Sequence, residues 1–193
     1  RAGVPVTIEF ATTAALVDRL TSGETAELAI MAEEAVERLQ AEGHVRASTP
    51  LVSSLIGIAV ADDAPLPPMQ TREDFVAFLR ATPSIAYTAR GVSGMHMAEV
   101  IDELGLADVV TPKAVVVDGF SGPLLRDGSV AAAVQQISEL RFTGATNIVP
   151  LPPALQVETI FTLAELRGAV GTEPVVRALT SAEAAAAYAR SGM

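Results

Sequence analysis

The chain has 193 residues, half of them apolar, and its 23 acidic and 13 basic residues give a formal net charge of −10. This charge argues against a general role in binding nucleic acid or anionic membranes, although a local site can still hold a small anion. There are no cysteines and only two histidines, which excludes disulfides and thiolate ligands and leads us to expect no metal or other cofactor.

The elements predicted in chain order alternate between strands and helices. Alternating apolar residues predict a strand over Val4 to Phe10, and a hydroxyl cap with a glycine stop predicts a helix over Thr12 to Gly23. A second pair follows, with a strand over Glu27 to Met31 and a helix over Glu33 to Gly43. Such alternation indicates parallel strands joined by crossover helices, which is an α/β architecture.

The middle of the chain continues this alternation. The apolar run Leu51 to Ala61 is long for one strand and leads into a proline-rich loop. Thr71 with Asp74 three residues later predicts a capped helix start, because each side chain can satisfy a free backbone amide of the first turn. No apolar run reaches the length of a membrane-spanning helix, so no direct membrane insertion is expected.

Two proline-rich segments predict two crossings of the chain between lobes. The second of them is Val149 to Gln156, after which another strand and a final helix are predicted. We therefore expect a discontinuous first lobe of residues 1–57 and 151–193 around an inserted second lobe of residues 58–150. A cleft between two such lobes is where a small molecule is expected to bind.

One predicted strand-to-helix turn is unusually suited to an anion. A strand ending in Thr88 is followed by two glycines and a serine, ahead of an amphipathic run that predicts a helix. The first amides of a helix are unpaired and lie at its positive end, so they attract a negative charge. Two interpretations of Ser93 stay open, because a serine at this place either contacts an anion or only caps the helix.

Two other turns repeat this construction. Thr12 and Thr13 begin the helix after the first predicted strand, and Ser121 with Gly122 begins a short helix after Phe120. In an open α/β sheet such turns lie at the carboxyl ends of the strands, where ligands bind. Three hydroxyl-bearing turns together favour an anion-binding site more strongly than any one of them.

Further polar residues near these turns each have a functional and a structural interpretation. Gln135 and Gln136 end an apolar strand and either donate amide hydrogen bonds to an oxyanion or face solvent and cap a helix. Arg90 either pairs with a carboxylate or is an ordinary surface arginine. His96 either donates to the anion, moves a proton of the bound molecule, or packs against neighbouring methionines, and Glu139 is either a base or a helix surface residue.

Four segments, taken in order, resemble the periplasmic solute-binding proteins related to the molybdate-binding protein of ABC transporters. They are VTIEFATTAALVDRLTSGETAELAIM, SIAYTARGVSGMHMAEVIDELGL, AAAVQQISEL and IVPLPPALQ. The resemblance implies a type II periplasmic binding fold, with two α/β lobes that close on a ligand in a central cleft. It also implies a periplasmic protein that binds a small oxyanion, dicarboxylate or tricarboxylate and passes it to the membrane permease of an ABC transporter.

The resemblance and the turns together define the candidate ligand-binding residues. These are Thr12, Thr13, Arg90, Val92, Ser93, Gly94, His96, Phe120, Ser121, Gly122, Gln135 and Gln136. The sequence departs from the family pattern in two ways. The family's first strand and helix have no counterpart before Arg1, and the glutamine pair stands where molybdate binders typically carry a tyrosine.

Two alternative functions share the same expected fold. The segments SGMH and VQQISEL look closer to a branch of the family that includes aconitate isomerase, for which His96 and Glu139 are the candidate proton-transfer groups. The other alternative is the effector-binding domain of a LysR-type regulator, although no helix-turn-helix segment precedes Arg1. An ABC-type solute-binding protein is the main expectation.

Overall fold

The structure is a computed structural model that describes residues 3–193. Its strands are β1 (Leu28–Ala32), β2 (Val45–Val60), β3 (Ile85–Thr88), β4 (Ala114–Val117), β5 (Ala132–Gln136), β6 (Ile148–Pro150) and β7 (Glu158–Leu166). Its helices are α1 (Thr13–Thr21), α2 (Glu33–Ala41), α3 (Arg72–Ala81), α4 (Val92–Glu103), α5 (Ala107–Val110), α6 (Gly122–Arg126), α7 (Ile137–Phe142), α8 (Glu173–Leu179) and α9 (Ala182–Arg190). Two 3-10 turns cover Thr111–Lys113 and Pro153–Leu155.

The chain divides into two compact units. The first runs up to Ser53, resumes over Thr159–Ser191 and includes Met193, whereas the second comprises Ser54–Glu158 and Gly192. The first division falls inside β2 and the second just after the first residue of β7. The lobes expected from the proline clusters, 1–57 with 151–193 and 58–150, stay a prediction. Prolines mark loops, whereas the divisions between the two compact units lie within strands.

The first unit is a small sheet covered by helices. Its strands follow the hydrogen-bonded order β1–β7–β2, with β1 antiparallel to β7, and α1 and α2 contact β1. Apolar residues of these elements form one core, and its buried members are Val17, Met31, Val36, Leu39, Val45, Ala164 and Leu166. Residues 3–193 contain no helix that is long and apolar enough to cross a membrane.

The predicted strand over Val4 to Phe10 is wrong. The segment pairs with no strand of the described chain, and its alternating apolar side chains are exposed, with Val4 at 42% and Phe10 at 66%. Alternation determines which side chains share a face, whereas a strand also needs a neighbour that accepts and donates its backbone hydrogen bonds. The sequence pattern indicated the alternation of side chains but not whether a neighbouring strand is present.

The second unit contains a mixed sheet with the strand order β2–β5–β3–β4 and with β6 paired to β2. β3 runs parallel to both β4 and β5, and β2 runs antiparallel to β5. The expected α/β class is therefore confirmed. The predicted capped start of α3 is confirmed as well, because the Thr71 hydroxyl accepts from the Asp74 amide at 3.1 Å and the Asp74 carboxylate accepts from the Thr71 amide at 2.9 Å.

The two faces of this sheet differ in side-chain size. Large apolar residues such as Ile56, Ile85 and Val134 share one core with Met97 of α4. The opposite core contains alanines from three strands together with leucines from α6 and α7; its members include Ala59, Ala86, Ala133, Leu125 and Leu140. Since side chains alternate along a strand, Gln135 lies on the same face as Ala133, next to the small residues that let α6 and α7 come close.

Candidate functional site

The carboxyl ends of three parallel strands of the second unit lie at one edge of the sheet. Thr88 at the end of β3 pairs with Val117 at the end of β4, and Tyr87 pairs with Val134 of β5. Extending this register by one residue places Thr88 beside Gln135. The helices α4, α6 and α7 start directly beyond these strand ends, so three strand-to-helix turns meet at this edge.

The start of α4 has no side-chain cap in the described chain. The helix begins at Val92 with Gly91 as N-cap, and no side chain of the described residues caps it. The hydroxyl of Thr88 accepts from the Gly91 amide at 3.3 Å, which orders the turn. Ser93 therefore lies inside the first turn and is 1% exposed, so its capping interpretation is wrong.

Gly94 lets α4 start directly against the end of β3. A Cβ atom at this position would lie 1.7 Å from the carbonyl oxygen of Thr88, a backbone atom that has little room to move. Only glycine permits this approach, which positions the first amides of α4 at the strand ends. Thr88 is not among the candidate residues predicted from the sequence, although its hydroxyl orders this turn. Its place as the last strand residue before a glycine turn is the signal that could have indicated this role.

Ser121 orients the side-chain amide of Gln135. The Ser121 amide N–H donates to Gln135 Oε1 at 2.9 Å, and the Ser121 Oγ lies 3.0 Å from the same Oε1 and 3.1 Å from the Val134 carbonyl oxygen. Both residues are fully buried. Because a backbone N–H needs an acceptor, this contact identifies the oxygen of the amide and directs Nε2 to the opposite side.

The Nε2 atom of Gln135 is the unusual polar atom of this site. It is fully buried and has no hydrogen-bond partner among the residues that the structure describes. A buried donor without a partner costs roughly 1–3 kcal/mol. Such an atom commonly marks a place where a ligand or water supplies the missing acceptor.

Glu139 lies in the first turn of α7, next to Gln135. Its carboxylate accepts a hydrogen bond from the backbone of Gln136, the N-cap of α7, and interacts with the side chain of Gln135. Burial raises the pKa of Glu139 to about 7, and these two amide contacts oppose that rise only in part. Near neutral pH this carboxyl group therefore exists in both protonation states.

Several other candidates have structural contacts of their own. His96 Nε2 lies 2.7 Å from the Leu155 carbonyl oxygen, so it carries the ring proton and leaves Nδ1 as the basic nitrogen. The ring centroid of Phe120 lies 5.8 Å from that of Phe142. A Cβ atom on Gly122 would lie 2.0 Å from Thr143 Oγ1, so this glycine permits close packing of α6 on α7.

The three remaining candidates of the second unit differ in exposure. Arg90 is exposed in the turn before α4, and Val92 is half-buried at the first helical position. Gln136 is 2% exposed and serves as the N-cap of α7. Its side chain belongs to the opposite face of the sheet from Gln135, because the two residues are adjacent in a strand. The two glutamines thus have different surroundings.

Thr12 and Thr13 belong to the first unit, where both hydroxyls accept backbone hydrogen bonds. Thr12 caps α1 by accepting from the Ala15 amide at 3.3 Å, and Thr13 accepts from the Ala32 amide at 3.3 Å. Each hydroxyl also carries a proton of its own, which remains suited to donation to an anion. Their role as ligand contacts stays a prediction.

Acidic residues are distributed unevenly over the helix starts of the part of the chain that the structure describes. Six of the α-helices carry at least one acid in the first turn: α2, α3, α5, α7, α8 and α9. The three without one are α1, α4 and α6, the helices that begin at the predicted hydroxyl-bearing turns. Since acids at helix starts are stabilising, their absence leaves the positive ends of α1 and α4 without a charge of their own.

No group of three or more histidine, aspartate or glutamate side chains within residues 3–193 is arranged to hold a metal ion. The candidate site offers hydrogen-bond donors, with one carboxyl group of raised pKa beside them. Such donors can bind an anion without any metal.

The family described as bacterial extracellular solute-binding protein matches the chain over residues 1–193, and the chain belongs to this family. Aconitate isomerase from Pseudomonas sp is a relative that is 27% identical over 187 residues, which cover 93% of this chain and 71% of that protein. The expected family resemblance is thereby confirmed.

Solved structures show the same fold. The periplasmic molybdate-binding protein of Azotobacter vinelandii matches with a TM-score of 0.80 and 14% identity, covering 98% of this chain and 87% of that chain. PEB3 bound to L-phospholactate, a protein of Campylobacter jejuni, matches with a TM-score of 0.69 and 18% identity over the same shares. At these identities the likeness establishes the fold, and the expected periplasmic-binding-protein fold is confirmed.

Proposed function

We propose that this protein is a periplasmic solute-binding protein that captures a small oxyanion or carboxylate for an ABC-type uptake system. The second unit supplies the donors, namely the first-turn amides of α4, the Ser93 hydroxyl and the Gln135 amide. The observation that carries the proposal is the buried Nε2 of Gln135, a donor that lies within hydrogen-bond distance of no acceptor among the described residues, although the Glu139 carboxylate interacts with the same side chain. An anion placed against it would satisfy an atom that is otherwise costly to bury.

The charge distribution supports an anion over a neutral or cationic ligand. The chain has a net charge of −10, yet the first turn of α4 contains no acid, and Gln135 contributes donors without adding charge. A helix of twelve residues without an acid in its first turn attracts a negative group by its amides and its dipole. Arg90, exposed just before α4, adds a positive charge close to this turn.

Three of the compared proteins support the same class of ligand, whereas two other structural matches are named for the cations thiamin and spermidine or putrescine. The names of three related proteins mention molybdate, L-phospholactate and aconitate, and all three are small anions. The family is one of bacterial extracellular solute-binding proteins, which supports transfer of the bound anion to an ABC permease as part of the proposal. The ligand of this chain is proposed as a class only, a small anion that accepts several hydrogen bonds.

Thermal shift and titration calorimetry against molybdate, tungstate, sulfate and a panel of dicarboxylates and tricarboxylates test the proposal. At least one of them should raise the melting temperature and give a saturable heat. Gln135→Met removes the donor at nearly constant size and should weaken binding at least about tenfold. Gln70→Met makes the same change at an exposed position of the second unit and should leave binding unchanged. If no anion binds, the proposed function fails.

A second candidate is an isomerase that acts on an unsaturated tricarboxylate. It is favoured by the similarity to aconitate isomerase and by Glu139, a carboxyl group with a pKa of about 7 beside the Gln135 donor. Such a group is suited to remove and return a proton near neutral pH, and His96 Nδ1 is the other candidate base. Incubation with trans-aconitate, followed by proton NMR for the cis isomer, tests this candidate. A protein that binds the acid and leaves it unchanged is a solute-binding protein.

A further inference from the structure

Glu139 and the uncapped start of α4 lie at the same edge of the sheet. Glu139 is a hydrogen-bond acceptor that can carry a negative charge, whereas the start of α4 offers amide donors. Glu139 lies at the third position of α7, where its carboxylate accepts from the backbone of the N-cap residue Gln136. This is one half of a capping box, and it stabilises the helix start in the usual way. The carboxylate is nevertheless placed beside Gln135, the residue with the unpartnered buried donor.

The orientation of Gln135 decides which of its atoms faces Glu139. Its Oε1 accepts from the Ser121 amide at 2.9 Å and lies 3.0 Å from the Ser121 hydroxyl, so the oxygen is already engaged. The interaction between Glu139 and the Gln135 side chain favours the charged carboxylate, as expected for an amide N–H donor. A carboxylate at Glu139 is therefore an internal acceptor for the Nε2 that an external anion would use.

We propose that Glu139 is an internal competitor for the anion site: when ionised it accepts from Gln135 Nε2 and repels a bound anion, and when protonated it releases this donor. Binding of an anion is then accompanied by uptake of a proton at Glu139. This inference rests on the proposed function, and it specifies how the same site is regulated by pH.

The surroundings of Glu139 contain few other charges. The strands β5 and β6, which contact α7, have no ionisable side chain, and neither does the Ser54–Val60 part of β2. Arg126 of α6 donates to the Thr143 carbonyl oxygen at the opposite end of α7, where Arg141 of α7 itself lies next to Gly192. Protonation of Glu139 is thus governed by burial and by the amides of Gln135 and Gln136.

The competition has a defined pH dependence. Burial raises the pKa of Glu139 to about 7, so about nine-tenths of the molecules hold the proton at about pH 6 and about one-tenth at about pH 8. The apparent dissociation constant equals the intrinsic constant divided by the fraction of molecules that is competent to bind. Affinity should therefore fall about tenfold between these two pH values. Glu139→Gln keeps an acceptor for the Gln136 amide, removes the titration and should abolish this fall.

The first arm of the test needs no ligand. The side-chain amide signals of Gln135 are identified in a nitrogen–proton NMR spectrum by their loss in Gln135→Met. They should move with a midpoint near pH 7 in the wild-type protein and should not titrate in Glu139→Gln. Glu73→Gln removes an exposed acid from the first turn of α3 in the same unit and should titrate like the wild type. Flat Gln135 signals in the wild-type protein would overturn the inference.

The second arm measures binding of molybdate and of trans-aconitate by calorimetry at about pH 6 and about pH 8, in two buffers of different ionisation enthalpy. The affinity of the wild-type protein should fall about tenfold from the lower to the higher pH, beyond any change seen in Glu139→Gln. At the higher pH, anion binding to the wild-type protein should be accompanied by uptake of a proton. The ionisation of the ligand itself is common to both proteins and cancels. Equal pH dependence in the two proteins overturns the inference and leaves the proposed function intact. Absence of binding in both proteins at both pH values defeats the competition together with the proposed function.

Discussion

The starts of α3 and α4 solve the same physical problem in different ways. Both helices have unpaired first amides, as every helix does. At α3 the chain satisfies them with its own side chains, because Thr71 and Asp74 cap reciprocally and the amides of Thr71 and Gln70 lower the pKa of Asp74. At α4 the described residues provide neither a capping side chain nor an acid. The difference leaves first-turn amides of α4 without a side-chain acceptor of the described chain.

Substitution of Gly94 should have the largest effect on this contrast. In Gly94→Ala the new Cβ atom would lie 1.7 Å from the Thr88 carbonyl oxygen, so α4 has to move away from the end of β3. We expect a loss of about 4 kcal/mol in the free energy of unfolding, measured by urea denaturation, and loss of anion binding. Gly91→Ala should cost less, since its Cβ atom would meet the Thr88 methyl group, a side-chain atom. A stable Gly94→Ala protein that binds normally would show that close approach is not required.

Glu139→Gln should alter the pH dependence of stability. The folded protein holds the proton of Glu139 more tightly than the unfolded chain, because burial raises its pKa from 4.5 to about 7. Stability is thus greatest below the lower value and falls as pH rises to the upper one, by at most about 3 kcal/mol. The Glu139→Gln protein should lack this fall and should be more stable than wild type at about pH 8 by urea denaturation. A fall of equal size in both proteins would assign it to other groups.

The features that the sequence predicted well are those decided within a few residues. The start of α3 depends on Thr71 and Asp74, which are three positions apart, and the structure contains both of its hydrogen bonds. The cap of α1 is local in the same way, with Thr12 accepting from Ala15. Local spacing is visible in a sequence, so these helix starts could be predicted.

The features that the sequence did not determine depend on distant neighbours. Val4 to Phe10 has the alternation of a strand but no strand beside it in the described chain. The role of Ser121 as a direct ligand contact stays a prediction, and its hydrogen bonds to Gln135, fourteen positions away, could not be predicted from local spacing. The raised pKa of Glu139 depends on burial, which sequence spacing does not report.

Placing an acid at the open helix start would make α4 resemble α3. Val92→Asp puts a carboxylate in the first turn, where the helix dipole should stabilise the protein by roughly 0.5 kcal/mol. The same charge occupies the proposed anion site, so affinity for a bound anion should fall about tenfold by calorimetry, equivalent to about 1.4 kcal/mol. Ala98→Asp adds the same charge at an exposed position further along α4 and should leave affinity nearly unchanged. Unchanged affinity in Val92→Asp would place the anion elsewhere.

The smallest effects should come from removing one hydroxyl at each helix start. Thr71→Ala deletes the cap that accepts from the Asp74 amide at 3.1 Å, so it should cost about 1 kcal/mol of stability and leave anion affinity unchanged. Ser93→Ala deletes a buried hydroxyl that does not cap α4 in the described structure, so stability should change by less than about 0.5 kcal/mol. Its affinity for the anion should fall severalfold, because the hydroxyl is one of the proposed donors. If Ser93→Ala instead lowers stability as much as Thr71→Ala and leaves affinity intact, Ser93 serves the fold and the start of α4 is an ordinary helix start.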